Sequence, residues 1–337
     1  MSIKDTPQYY HVVLERIPPK SRPVFEDEDM QKRVWGRRWG VHNDVGPLRM
    51  VLLHRPGDEM KVMTEDKYDP EIEALIDDDQ QWYFRSDRAP DLATMQREHD
   101  GLAATLEENG VQVEYADCSS TNPNAMFTRD TGIAVKGGAV VCRLGPVGKE
   151  YGTGRRGEEY YLTRKLAELG MPIIHTIHGA GLMEGGSFCF LDENHAVVGT
   201  GYRQNPEGVD QLRNVLKHQD VELIEVPLTG HSLHIDGALV MVDRDAALVN
   251  ITRLPFWFMD TLTDLGIEIV HLDPRDQPTA INCLALAPGK LLVTDASQWT
   301  ADRLDRMGYE CIQVPYGECH RHGGSIHCST MPLIRDP

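Results

Sequence analysis

The sequence predicts an α/β fold: one repeat-built body of the closed, propeller-like kind, preceded by a polar arm. Three observations carry this expectation. A unit of strand, hairpin partner, helix and strand recurs about five times, and such supersecondary repeats close on one another to bury a shared core. No Gly/Ser linker breaks the series, which favours one domain over two. The composition is that of an ordinary globular chain, with 41% hydrophobic and 26% charged residues among 337.

The elements follow in order. Residues 1–45 are polar, with Pro18-Pro19, the acidic run Glu26-Asp27-Glu28-Asp29 and the basic stretch Trp35-Gly36-Arg37-Arg38-Trp39. They read as an N-terminal extension, partly ordered by the two tryptophans, ahead of a single domain at 46–337. Arg49–His54 is a short apolar strand. Over Asp91–Asn109, Leu92, Met95, Leu102 and Leu106 recur on one side with charges between, and Gly110 stops the helix. Val111–Tyr115 alternates as a strand does. Gly132–Val135 and Ala139–Cys142 flank Lys136-Gly137-Gly138, a hairpin signal. A helix over Arg155–Leu169 ends at Gly170, and Pro172–His175 is a strand.

The pattern then repeats. Ser187–Phe190 and Ala196–Gly199 flank a turn, followed by a helix over Gly208–Lys217 and a strand over Val221–Pro227. Ala238–Val242 and Ala246–Val249 are followed by a helix over Phe256–Leu265 and a strand over Ile267–Leu272. Cys283–Ala287 and Lys290–Thr294 are followed by a helix over Ala301–Met307 and a strand over Tyr309–Val314. Function in such a ring belongs on the loops where the units converge.

Composition narrows the function. Asp plus Glu number 52 against 34 Lys plus Arg, a formal charge of −18. That argues against a nucleic-acid partner, which needs a basic face, and favours a cationic small ligand. No apolar run reaches the roughly 18 residues of a membrane span, and residues 1–28 carry no apolar core of a secretory signal. The seven cysteines include no Cys-x-x-Cys pair and read as reduced thiols of a cytoplasmic protein.

Four loop segments hold the chemistry: Asn122 to Asp130, Glu184-Gly185-Gly186-Ser187, His231 to Gly237, and Gly323 to Thr330. They bring carboxylates, a His and a Cys toward one centre. A thiolate is a strong nucleophile, and a nearby imidazole serves as acid and base. Carboxylates beside a thiolate make sense when the substrate is positively charged. A planar guanidinium presents N–H donors in a fork that matches carboxylates. Other readings exist for the same residues. Arg129-Asp130 also suits a structural ion pair, and Glu-Gly-Gly a plain turn. His231-x-x-His234-x-Asp236 and Cys319-His320-Arg321-His322 with His327 and Cys328 also suit a metal site, although the spacings match no zinc motif.

Taken together, these residues resemble the guanidino-group-modifying superfamily, the penteins, and in texture most nearly arginine deiminase. Gly46 to Gly57 resembles the family's opening strand, and Arg97-Glu98-His99-Asp100 its first helix. Asn124 to Asp130 matches Asn-x-x-Phe-x-Arg-Asp, Glu184-Gly185-Gly186 matches Glu-Gly-Gly, and His234-Ile235-Asp236 matches His-[Leu/Ile]-Asp. Cys328 sits where the family's nucleophile sits, and the resemblance covers roughly residues 46–334.

The resemblance implies a pentein α/β-propeller of five ββαβ-type units around a pseudo-five-fold axis. It implies a cysteine-dependent hydrolase of a guanidino compound, acting through a covalent amidino-thioether. Cys328 is then the nucleophile and His234 the acid and base. Asp130 and Asp236 grip the guanidinium nitrogens, and Glu184 orients the imidazole. Arg203 resembles an arginine that binds a substrate α-carboxylate, Asn124 a polar contact nearby, and Arg156 a second carboxylate clamp. Ser187 stands where many relatives carry Asp, a departure that bears on free arginine as substrate.

The expected substrate is arginine or an N-substituted arginine. Alternatives are agmatine or an alkylguanidine, transfer of the amidino group to an amine acceptor, or binding without turnover. The resemblance requires no metal and no organic cofactor, and implies a homo-oligomer.

Overall fold

A computed structural model describes residues 1–18, 27–79, 81–117, 122–145, 155–201, 203–230 and 232–337. Within them, five three-stranded sheets share one pattern. A middle strand pairs antiparallel with one neighbour and parallel with the other. The middle strands are Leu48–Leu53, Gly138–Val141, His195–Thr200, Ala246–Val249 and Lys290–Thr294. Their parallel partners are Gln112–Tyr115, Ile173–Thr176, Glu222–Pro227, Glu268–His271 and Glu310–Val314. A parallel pair needs a crossover, and a helix supplies each one: Leu92–Glu108, Glu158–Leu169, Pro206–Lys217, Phe256–Asp264 and Gln298–Arg306.

Local chemistry sets these helices. The Asp91 side chain accepts from Thr94 N at 3.1 Å and Asn205 from Gly208 N at 3.0 Å, satisfying otherwise orphaned amides. Gly170 ends its helix at φ +76°, a left-handed conformation that costs glycine little. The expected start at Arg155 is displaced. Residues 155–157 form a turn and the helix begins at Glu158. The third helix begins earlier than its apolar spacing suggests, because Pro206 occupies the first turn, where a missing N–H does no harm.

Two elements escape the periodicity. Met331–Arg335 pairs antiparallel with Leu48–Leu53, placing the segment after Cys328 beside the first strand. Pro332 argues against a central strand, and the structure puts it at an edge, across from Val51 with a register shift nearby. A separate small sheet of Tyr68–Asp69, Ala74–Ile76 and Tyr83–Phe84 has strands too short to show any period.

The core is aliphatic and runs through the middle strands: Val140, Val141, Val197, Ala247, Leu248, Leu291 and Leu292 are at most 1% exposed. Of the N-terminal stretch, Tyr9–Leu14 and Glu28–Trp35 are helices whose apolar residues, such as Leu14 and Val34, stay exposed. Trp39 is buried against the core, and its indole donates to Trp35 O at 3.1 Å. Pro19 and Glu26 of the expected arm lie outside the described residues. Among the described residues, no helix is long and apolar enough to cross a membrane.

Candidate active site

Short 3-10 turns immediately before four sheets carry the polar residues inward: Thr128–Thr131, Gly185–Ser187, Ile235–Gly237 and Pro278–Ile281. Close packing fixes the second of these. A Cβ on Gly186 would lie 2.5 Å from Asp130 Oδ1 and 2.8 Å from His234 Nδ1, and one on Gly185 would lie 2.2 Å from Arg129 O. Only glycine lets these loops meet, so Glu-Gly-Gly has a steric reason at this place.

Two cavities join at the centre. One, of about 550 Å³, is lined by Asp236, Arg253, Asn282, Arg85 and Ser325 among others. The second, of about 240 Å³, is lined by Asp130, Glu184, Arg155, Arg203 and Asn124 among others. Tyr83, Leu233, His234, Gly323, Gly324 and Cys328 line both. The sulfur and the imidazole therefore stand at the junction of two lobes.

His234 is clamped from both ring nitrogens. Nε2 lies 2.6 Å from Glu184 Oε2 and Nδ1 lies 3.5 Å from Asp130 Oδ1. Burial opposes a charged ring, but Asp130, Glu184 and Asp236 outweigh it and hold His234 up to about 9. At neutral pH it is an imidazolium, ready to donate a proton. Burial works against ionising Glu184 too, yet His234 and Arg203 hold its carboxyl well below the usual range. The Cys328 thiol donates to Asp236 Oδ2 at 3.4 Å. Burial and the nearby Asp236 and Asp130 push it well above the ordinary thiol value. The resting Cys328 sulfur is therefore a neutral thiol.

The raised His234 value has a consequence for stability. A group whose folded value exceeds its unfolded one contributes stability that is complete below the unfolded value and is lost as pH rises through the folded one. For His234 that window runs from 6.5 to about 9. Thermal melts across it should show a decline that His234→Gln removes. A His234→Gln profile that falls in parallel with wild type would contradict this assignment.

The other expected residues are distributed as follows. Arg203 Nη1 donates to Glu184 Oε1 at 3.2 Å, inside the smaller lobe. Asn124 lines that lobe while its side chain donates to Gln81 O at 3.1 Å. Arg156 is not brought to either lobe. It donates to Leu144 O at 3.3 Å and pairs with Glu159. Its neighbour Arg155 points in instead, bound to Asp130, to both Glu158 oxygens and to Phe127 O. Ser187, expected to touch substrate, lines neither lobe: it is fully buried, accepting from Gln204 Nε2 at 2.5 Å.

Sequence reasoning missed Arg155, Arg253 and Asn282, and raised His327 only as a metal ligand. A signal existed for Asn282, which lies just before a strand, as Asp130 and Asp236 do. Asp130, Glu184 and His234 present ligand atoms within 4.8 Å of one another, the one metal-compatible grouping among the described residues. Arg155 and Arg203 already compensate its two carboxylates. His231 of the expected metal motif lies outside the described residues. The Cys319 and His322 side chains turn to separate partners, Met95 O and Tyr83 O.

Comparisons with known proteins bear on the family and the fold. The chain is 26% identical to the 2-nitroimidazole nitrohydrolase of Mycobacterium sp. (strain JS330), over 90% of this chain and 84% of that protein. It is 22% identical to the arginine deiminase of Latilactobacillus sakei subsp. sakei (strain 23K), over 88% and 98%. Its fold superposes with a TM-score of 0.67 on a cysteine-to-serine mutant of DDAH from Pseudomonas aeruginosa complexed with citrulline, at 18% identity, covering 86% of this chain and all of that one. The family model described as N,N dimethylarginine dimethylhydrolase, eukaryotic, matches residues 71–335. That span is most of the chain and takes in every one of the site loops, so this chain belongs to the dimethylarginine dimethylhydrolase family, within the pentein superfamily.

Proposed function

We propose that the protein is a cysteine-dependent hydrolase of a carboxylate-bearing guanidino compound, with arginine or an N-substituted arginine as its first substrate. The observation that carries this is the junction itself, where a thiol on one carboxylate and an imidazolium on two others face a shared cavity. A substrate guanidinium entering there meets Asp236 and Asp130. Its positive charge offsets the two carboxylates that hold the Cys328 proton on, so binding favours the thiolate, whose proton leaves to solvent and returns when the sulfur is expelled. The sulfur then attacks the central carbon. His234 delivers its proton to the departing amine, leaving an amidino-thioether. A water attacks that carbon, His234 takes its proton, and expulsion of the sulfur releases the ureido product. Glu184 stabilises the imidazolium in both directions.

The five sheets of one pattern support a ring of five ββαβ-type units around a pseudo-five-fold axis, with residues 46–337 as one catalytic domain behind an N-terminal extension. A cytoplasmic homo-oligomer without metal or organic cofactor completes the reading. Two further guanidiniums, Arg253 and Arg85, line the larger lobe and, among the described residues, bond to backbone carbonyls: Gly237 O for Arg253, and His320 O and Arg321 O for Arg85. They support a substrate with an anionic end, because a guanidinium facing a cavity with no carboxylate partner is available to one.

The test is a panel of arginine, N-methylated arginines, agmatine, alkylguanidines and 2-nitroimidazole, with and without amine acceptors. Ammonia, alkylamine, nitrite and ureido products are read out. A ureido amino acid formed without acceptor is expected. Product that appears only with an added amine would establish transfer instead. Arg203→Lys and Arg253→Lys locate the anionic end. The arginine that holds it should lose about tenfold or more in KM for arginine-type substrates, since lysine cannot copy a bidentate fork. Agmatine turnover should change little. A wild-type preference for agmatine over arginine would overturn the substrate assignment and leave Cys328 and His234 in place.

A further inference from the structure

We propose that His327 is a positioning residue for the nucleophile: it anchors Asp236 so that a single carboxylate oxygen is held toward the Cys328 thiol. The inference rests on the cysteine-nucleophile reading and adds to it a residue with no assigned task. His327 immediately precedes Cys328 and is 7% exposed. Its Nδ1 lies 2.9 Å from Asp236 Oδ2, the same oxygen that the Cys328 sulfur approaches at 3.4 Å. An ionised carboxylate only accepts hydrogen bonds, so Nδ1 carries the ring proton and the thiol donates. Two donors from adjacent residues thus converge on one oxygen, and the Asp236 carboxylate cannot rotate without breaking both.

The surrounding backbone is fixed independently, which leaves the carboxylate as the part that needs a tie. Asn282 Oδ1 accepts from Cys328 N at 3.1 Å, and its Nδ2 donates to Asp236 O at 3.4 Å. Arg129 N donates to Cys328 O at 3.0 Å, and its Nε to His327 O at 3.4 Å. The charged groups around Asp236 and Cys328 are Arg129, Asp130, His234 and Asp44. Burial, helped by Arg129, lowers the His327 value, so the ring is neutral at physiological pH. A neutral donor has a specific advantage here. It orients Asp236 without cancelling its charge, which stays available to a cationic substrate. A lysine or arginine in the same place would consume that charge.

The experiment uses the full chain and measures iodoacetamide alkylation of Cys328 against pH by peptide mass, with kcat and KM alongside. In His327→Ala the Asp236 charge is no longer shared with a donor, so the alkylation midpoint should rise by about one pH unit or more. At neutral pH kcat should fall about tenfold or more, and KM should rise. His327→Asn, whose amide N–H reaches nearly the place of Nδ1, should recover most of both. An unchanged or lowered midpoint in folded His327→Ala overturns the proposal. Should that variant not fold, His327→Phe keeps the ring volume without the donor and takes the same test. Because alkylation needs no substrate, His327 can fail this test while Cys328 remains the nucleophile. A Cys328→Ala enzyme as active as wild type would instead sink the underlying reading.

Discussion

Replacing Cys328 by Ala should abolish turnover, with a loss of at least about a thousandfold, while substrate binding persists. Among the described residues that line both lobes, Cys328 carries the one thiol, so on the proposed mechanism removing it deletes the covalent path. The carboxylates that would grip the substrate are untouched, because Asp236 keeps His327 and Asp130 keeps Arg155 and His234. Calorimetry with a guanidino ligand should therefore still register binding. Cys319→Ala is the matched control. Its sulfur is fully buried against Met95 O and lines neither lobe, so the rate should hold and stability should fall by about 1 kcal/mol. Near-wild-type turnover by Cys328→Ala would end the covalent mechanism.

Asp236→Asn should lower kcat/KM by about a hundredfold or more with little change in melting temperature. The amide keeps the shape but loses the charge, and one acceptor becomes a donor aimed at other donors. Charge-assisted bonds are each worth about 1.5–3 kcal/mol, and a guanidinium engages two in a bidentate grip. Asp130→Asn should match it in rate but melt lower. Asp130 is bound to the buried Arg155, which would be left with Glu158 alone, and a buried charge that loses a partner is costly. The discriminating measurement is the pair of melting curves. Equal and large drops in both variants would make both carboxylates structural.

The residues brought together at the junction were legible because each sits in a short motif just before a strand, at the same place in its unit. Glu184-Gly185-Gly186 is readable even sterically, since the glycines mark where two loops touch. Arg155 and Arg156 could not be told apart by sequence. Their orientation depends on a turn over 155–157 where apolar spacing suggested helix. Arg253 is a single residue without a pattern, Asn282 shares with the others only its place before a strand, and His327 suggests nothing beyond a metal ligand; the meeting of loops distant in sequence gives them meaning. The repeat of strands and crossover helices was visible for the complementary reason: burial on both faces writes long valine, leucine and alanine runs. The small sheet at 68–84 and the strand Met331–Arg335 write no such run. The former is too short and the latter carries Pro332.

That last strand bears on how the protein is made. Cys328 lies three residues before Met331–Arg335, which pairs with Leu48–Leu53 near the other end of the chain. A ribosome-held chain can assemble the four other crossover sheets, which lie wholly between these strands, and present Asp130, Glu184, His234 and Asp236 together. The sulfur arrives afterward, carried in by the edge strand as the first sheet is finished. On the proposed roles, a chain that has not yet paired these two strands holds the carboxylates without the sulfur beside them, so reactivity depends on a pairing between segments far apart in sequence.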